Sequence, residues 1–138
     1  MSHDSIPPAA PRPIEADRDS APWWDAVDRG EVLLQQCADC GVKRFPARAV
    51  CNRCQSRKST WVPALGTGRV YSWIVNHQKF MPGVGVPYAV LCVRLDEGED
   101  ILMYGNLVEG DATQITPGMR VQATIVGGLV QWRPLHSV

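Results

Sequence analysis

A chain of 138 residues, 45% hydrophobic and 20% charged, has material for one ordinary domain or two small ones. Its formal charge of +0 argues against a general polyanion binder. No apolar run approaches the ~20 residues of a membrane helix, and residues 1–20 are too polar and proline-rich for a secretory signal, so a reducing cytoplasm is expected.

Charge is unevenly spread. Residues 1–36 are acidic, with Arg12, Arg18 and Arg29 as their only cations. Residues 37–58 carry Lys43, Arg44, Arg48, Arg53, Arg57 and Lys58 against Asp39 alone. That basic island suits phosphates, an acidic partner, or the negative charge of a metal held by thiolates.

Residues 1–20, with Pro7, Pro8, Pro11 and Pro13, read as a tail that does not fold alone. Ser20 as cap, Pro22 in the first turn and Gly30 as terminator predict a helix over 22–29. It would carry Trp23 and Trp24, which cannot share one face of so short a helix. One is expected to pack inward and the other to meet a partner, the alternative being that both pack within the chain.

A strand over 31–36 leads into Cys37-Ala38-Asp39-Cys40, and Cys51-Asn52-Arg53-Cys54 follows ten residues later. Each CxxC pair sets two thiolates on one side of a tight knuckle, and two knuckles give four sulfurs at tetrahedral corners, which suits zinc. Gly41 fits the sharp turn after the first pair, and Lys43 to Pro46 form a short strand back toward the second. In a reducing compartment this spacing favours metal over disulfides. An iron centre or a redox thiol pair are the competing readings. Four thiolates leave no open coordination position, so one structural Zn²⁺ is expected on Cys37, Cys40, Cys51 and Cys54.

Thr60 to Pro63 leave this ribbon as a strand, and Gly66-Thr67-Gly68 reads as a flexible joint. The division is therefore tail 1–20, helix and zinc ribbon 21–65, and a second domain 66–138. The second part is β throughout, with strands over 70–76, 88–95, 101–107, 119–126 and 129–133. Val121, Ala123 and Ile125 alternate with polar neighbours in the period of a half-buried strand, and Gly127-Gly128 is a hairpin turn. Five short strands in this space suggest a small antiparallel barrel of the five-stranded OB type.

Few side chains in the barrel point to chemistry. His3 and His136 lie near the chain ends, and His77 precedes a Gly/Pro-rich loop running to Pro87. Lys79 there suits a phosphate, and Phe80 or Tyr88 suits a base or an acyl chain, the alternative being a solvated loop. Cys92 reads as a small buried apolar residue. Asp96, Glu97, Glu99 and Asp100 read as a solvated turn without the spacing of a calcium loop.

The order of motifs resembles one bacterial and archaeal family. Its marks here are the tryptophan helix, Gly30-Glu31-Val32-Leu33, Cys37-x-x-Cys40-Gly41, Phe45-Pro46-x-Arg48, Cys51-x-x-Cys54, Gly66-x-Gly68-x-Val70-Tyr71-Ser72, Pro87-Tyr88 and Leu95-Asp96-Glu97-Gly98. They span about residues 20–135. Trp132 stands where the pattern leads us to expect Phe. The family joins an N-terminal rubredoxin-like zinc ribbon to a C-terminal OB-fold. The resemblance implies a mainly β accessory subunit, inactive alone, that binds acyl-CoA or scaffolds a thiolase-like, hydratase or aldolase partner in acyl-CoA metabolism, including lipid or sterol side-chain degradation. Under it, Lys79, Phe80 and Tyr88 are the candidate acyl-CoA contacts, and Trp23 and Trp24 the candidate partner contacts. The competing function is a nucleic-acid module, since zinc ribbons and OB-folds both serve that role. The barrel's cations (Arg69, Lys79, Arg94, Arg120, Arg133) are outnumbered by its acids, which argues against it.

Overall fold

The computed structural model describes residues 16–80 and 82–135, so His3, His136 and most of the expected tail lie outside the described residues. Helix α1 (Ala21–Asp28) is followed by β1 (Leu33–Cys37), β2 (Lys43–Arg44) and β3 (Ser59–Pro63), which form an antiparallel sheet in the order β2-β1-β3. Then come β4 (Thr67–Asn76), β5 (Tyr88–Leu95), β6 (Leu102–Asn106), a 3-10 turn (Ala112–Gln114), β7 (Arg120–Val126) and β8 (Leu129–Pro134). These five strands pair antiparallel in the order β6-β5-β4-β7-β8.

The five-stranded sheet curls until its edges meet. Leu107 and Trp132 form a parallel bridge, and Val108 N–H donates to Trp132 O at 2.8 Å. Asn106 N–H donates to Gln131 Oε1 at 2.6 Å across the same seam. The result is the expected mainly β fold: a short helix, a four-cysteine ribbon and a nearly closed five-stranded OB barrel. Gly127 and Gly128, at φ 63° and 78°, supply the left-handed pair that a two-residue hairpin between β7 and β8 demands.

Alternation along β5 decides which side chains enter the barrel. Ala89, Leu91 and Val93 are fully buried, while Val90 and Arg94 on the outer face are half-exposed. A register shift between Val70 and Ser72 makes Tyr71 the extra residue of a bulge and turns its ring outward, where the Arg94 guanidinium lies 4.4 Å from the ring centroid. Trp132 is fully buried and packs over Gly105; a Cβ on Gly105 would meet the Trp132 ring at 2.8 Å and Val130 O at 2.7 Å.

Three local expectations are corrected. Ser20 makes no side-chain capping bond; instead the Asp17 carboxylate accepts from Ser20 N–H at 2.7 Å. Thr67 and Gly68 are strand rather than joint: they pair with β7, Gly68 also pairs with Leu95, and Gly68 is buried against the Arg94 carbonyl. The acidic turn is partly bound. Asp96 takes both Arg120 nitrogens at 2.6 and 2.8 Å and the Thr67 hydroxyl at 2.5 Å, while Glu97 Oε2 accepts Leu65 N–H at 2.7 Å.

Candidate functional site

The two knuckles are built alike. In the first, Gly41 N–H returns to Cys37 O at 3.0 Å; in the second, Gln55 N–H returns to Cys51 O at 2.9 Å. Both closing residues are left-handed, Gly41 at φ 78° and Gln55 at φ 66°. Backbone N–H groups point at the inner sulfurs: Cys40 N to Cys37 Sγ and Arg53 N to Cys51 Sγ, each at 3.4 Å.

All four Sγ atoms lie within 4.8 Å of one another, with Cys37–Cys54 at 3.5 Å and Cys40–Cys51 at 3.7 Å. A tetrahedron with Zn–S bonds of about 2.3 Å has edges of about 3.8 Å, so the set fits one zinc ion. Cys37 and Cys51 are buried, and Cys40 and Cys54 reach the surface. In the metal-free cluster the Cys40 N–H, joined by that of Asp39, brings the Cys37 thiol down to about 6. For Cys54 the Ser56 N–H pulls the other way, but bonds shared with the Cys37, Cys40 and Cys51 thiols and burial carry it up to about 12. Four fixed thiolates thus require the metal's charge, and binding it releases protons.

Behind the cluster lies a polar network that the sequence did not reveal. Gln35 and Arg44 face each other across β1 and β2, and both are buried. Gln35 Oε1 accepts Arg44 Nε at 2.7 Å and Arg48 N–H at 2.8 Å; its Nε2 donates to Arg48 O and Ser59 Oγ, each at 3.1 Å. Arg44 has no carboxylate within 4 Å among the described residues, and its Nη1 has no hydrogen-bond partner. Arg44 is therefore an internal cation and not part of the basic face, which Arg48, Arg53, Arg57 and Lys58 present to solvent.

The tryptophans of α1 face the ribbon and the barrel. Trp23 is buried, edge-on to Trp24 at 4.5 Å and 5.4 Å from Phe45. Trp24 is half-exposed. Between α1, the Phe45-Pro46-Ala47 turn and the β6–β8 seam lies a cavity of about 470 Å³ lined almost wholly by carbon. Lys79 and Phe80 lie elsewhere, exposed in the β4–β5 loop, with Tyr88 half-buried at the start of β5. Sequence reading missed this cavity because its walls come from residues far apart in the chain.

The domain descriptions "ChsH2, rubredoxin-like zinc ribbon domain" and "ChsH2, C-terminal OB-fold domain" match residues 24–60 and 61–126 in the same order. A solved chain from the "Ltp2-ChsH2(DUF35) aldolase" superposes with a TM-score of 0.79 at 35% identity, covering 89% of this chain and 98% of that one. The chain belongs to the ChsH2/DUF35 family. Among its curated relatives is a probable enoyl-CoA hydratase alpha subunit of Thermomonospora curvata, 39% identical over 83% of this chain and 35% of the relative. The 3-oxo-4,17-pregnadiene-20-carboxyl-CoA hydratase alpha subunit of Mycobacterium tuberculosis is 34% identical over 95% of this chain and 42% of its own length. This ChsH2-family chain thus spans well under half the length of those two subunits. A DUF35 domain-containing scaffold protein of Methanocaldococcus jannaschii is 29% identical over 73% of this chain and 72% of its own. A DUF35 protein of Sulfolobus solfataricus shares the fold alone, at a TM-score of 0.64 and 14% identity.

Proposed function

We propose that this ChsH2-family chain is a non-catalytic accessory subunit that scaffolds an acyl-CoA-processing enzyme of the hydratase, aldolase or thiolase-like class. The observation that carries this reading is the match over 89% of this chain to a chain of the Ltp2-ChsH2(DUF35) aldolase, together with relatives named as hydratase alpha subunits and as a scaffold protein. The metal centre supports a structural role, since four thiolates saturate zinc and leave no position for water or substrate. In this reading Lys79, Phe80 and Tyr88 meet coenzyme A: a cation and an exposed ring on one loop beside a half-buried phenol suit a nucleotide phosphate and its base. Trp24, half-exposed beside buried Trp23, is the better placed of the pair to meet a partner.

The test is mild affinity purification from the native host with identification of co-purifying proteins. A stoichiometric hydratase, aldolase or thiolase-like protein is expected. Recovery of the chain alone, or with nucleic acid, would overturn the accessory reading. The purified chain alone is expected to leave acyl-CoA thioesters unchanged, and turnover by it would contradict the non-catalytic assignment.

A further inference from the structure

The cavity between α1 and the barrel seam has the dimensions and chemistry of a ligand site. Its volume of about 470 Å³ falls within the range of small-molecule pockets. Trp23, Trp24 and Phe45 form one wall, and Val90, Met103 and Leu129 are among the residues of the other. Among the described residues no Lys, Arg, Asp or Glu lines it. A buried carboxylate or phosphate would find no cation among these residues, which favours an occupant whose enclosed part is neutral. Trp23 is 7% exposed and its Nε1–H has no acceptor among the described residues. The Nε1–H of the core residue Trp132 is likewise without an acceptor among the described residues, but Trp23 also lines the cavity, where a carbonyl oxygen on a ligand supplies one.

Strand β5 joins the cavity wall to the loop assigned to coenzyme A. Tyr88 and Val90 are two residues apart on β5 and point to the same face of the sheet. Val90 belongs to the cavity wall, and in chain order Tyr88 lies between Val90 and the loop bearing Lys79 and Phe80. A ligand with a charged nucleotide at one end and a neutral apolar group at the other would run along this face.

We propose that the cavity receives the neutral acyl group of a thioester, with the thioester carbonyl as the acceptor for Trp23 Nε1–H. This rests on the acyl-CoA reading for the class of ligand, and the site itself is new to it. The probe that separates the two is decanoyl-N-acetylcysteamine, a neutral thioester with no nucleotide. The zinc-loaded full chain is titrated with it while the five indole N–H signals are followed by ¹⁵N NMR, Trp61 and Trp73 serving as internal controls. Saturable shifts of Trp23 and Trp24, with Trp61 and Trp73 unmoved, are expected. Filling the cavity from either wall, by Ala47→Trp or Leu129→Trp, is expected to weaken binding at least tenfold while zinc content is kept.

No saturable shift, shifts spread over all the indoles, or binding unchanged in a folded cavity-filling variant would each overturn the proposal. Failure here with a stoichiometric enzyme still co-purifying would leave the scaffold reading intact. Thioester binding without a partner would do the reverse.

Discussion

Arg44 is the residue whose role changes most between chain and fold. In the sequence it is one of six cations near the cysteines; in the structure it is buried, and among the described residues it bonds to neutral acceptors and has no carboxylate within 4 Å. It sits diagonally across β1 and β2 from Cys37, a spacing of about 7–8 Å. Zinc with four thiolates carries a formal charge of −2, and because Cys40 and Cys54 reach solvent, a cation at that range is worth about 1–2 kcal/mol at an effective dielectric of about 40–80. Arg44→Met is therefore expected to lower zinc affinity roughly tenfold, read by competition with a chromogenic chelator, with Arg44→Lys losing less. Equal affinity in all three proteins would show that the hydrogen bonds alone account for Arg44. The cysteine quartet was legible because its spacing is local. The internal cation was not, because nothing in Lys43-Arg44-Phe45 says which side chain turns inward.

Between strands, two contacts fix the barrel. Asp96 at the end of β5 is clamped by Arg120 at the start of β7, and hydrogen bonds from Arg120 and then Thr67 hold its carboxyl at about 2 against an ordinary 3.8. A folded-state value below the unfolded one means stability that is full above about pH 4 and lost as pH falls toward 2. With side chains 27% and 33% exposed, screening trims the pair to about 1 kcal/mol. Arg120→Ala should cost that much at pH 7 and flatten the decline between pH 4 and 2 in urea titrations. At the seam, Gly105 leaves the space that Trp132 fills. Gly105→Ala should destabilise by about 1–3 kcal/mol through overpacking, and Trp132→Phe should cost a comparable amount through the void it leaves. Combined, the two should cost less than their sum in thermal melts, since the smaller ring yields room to the added methyl; strict additivity would show that Val130 O, rather than the indole, sets the clash.

At the scale of the whole molecule, helix, ribbon and barrel share one apolar cluster. Trp23, Val27 and Leu34 belong to the same buried group as Leu91, Val121 and Trp132. We propose nonetheless that residues 21–65 depend on metal in a way that the barrel does not, because the ribbon's strands are short and its sheet has three strands. Chelation is expected to erase the near-UV signal of the Trp23–Trp24–Phe45 group and open Arg53, Arg57 and Lys58 to trypsin, while a barrel fragment survives. Simultaneous loss of the barrel would show that the shared cluster makes the chain one cooperative unit.

The sequence alone determined the metal-binding residues, the strand-rich second half and the family, since each is written in local spacing, alternation or motif order. It also placed the helix correctly between Pro22 and Gly30, where backbone chemistry acts within a turn. Only the tertiary structure decided that Arg44 is an internal cation, that Asp96 and Glu97 accept hydrogen bonds from Arg120, Thr67 and Leu65, and that Thr67 and Gly68 are strand. The cavity likewise exists only once α1, the Phe45 turn and the barrel seam meet. Burial and pairing depend on which distant segments fold against a residue, and that is not encoded within any short window of the chain.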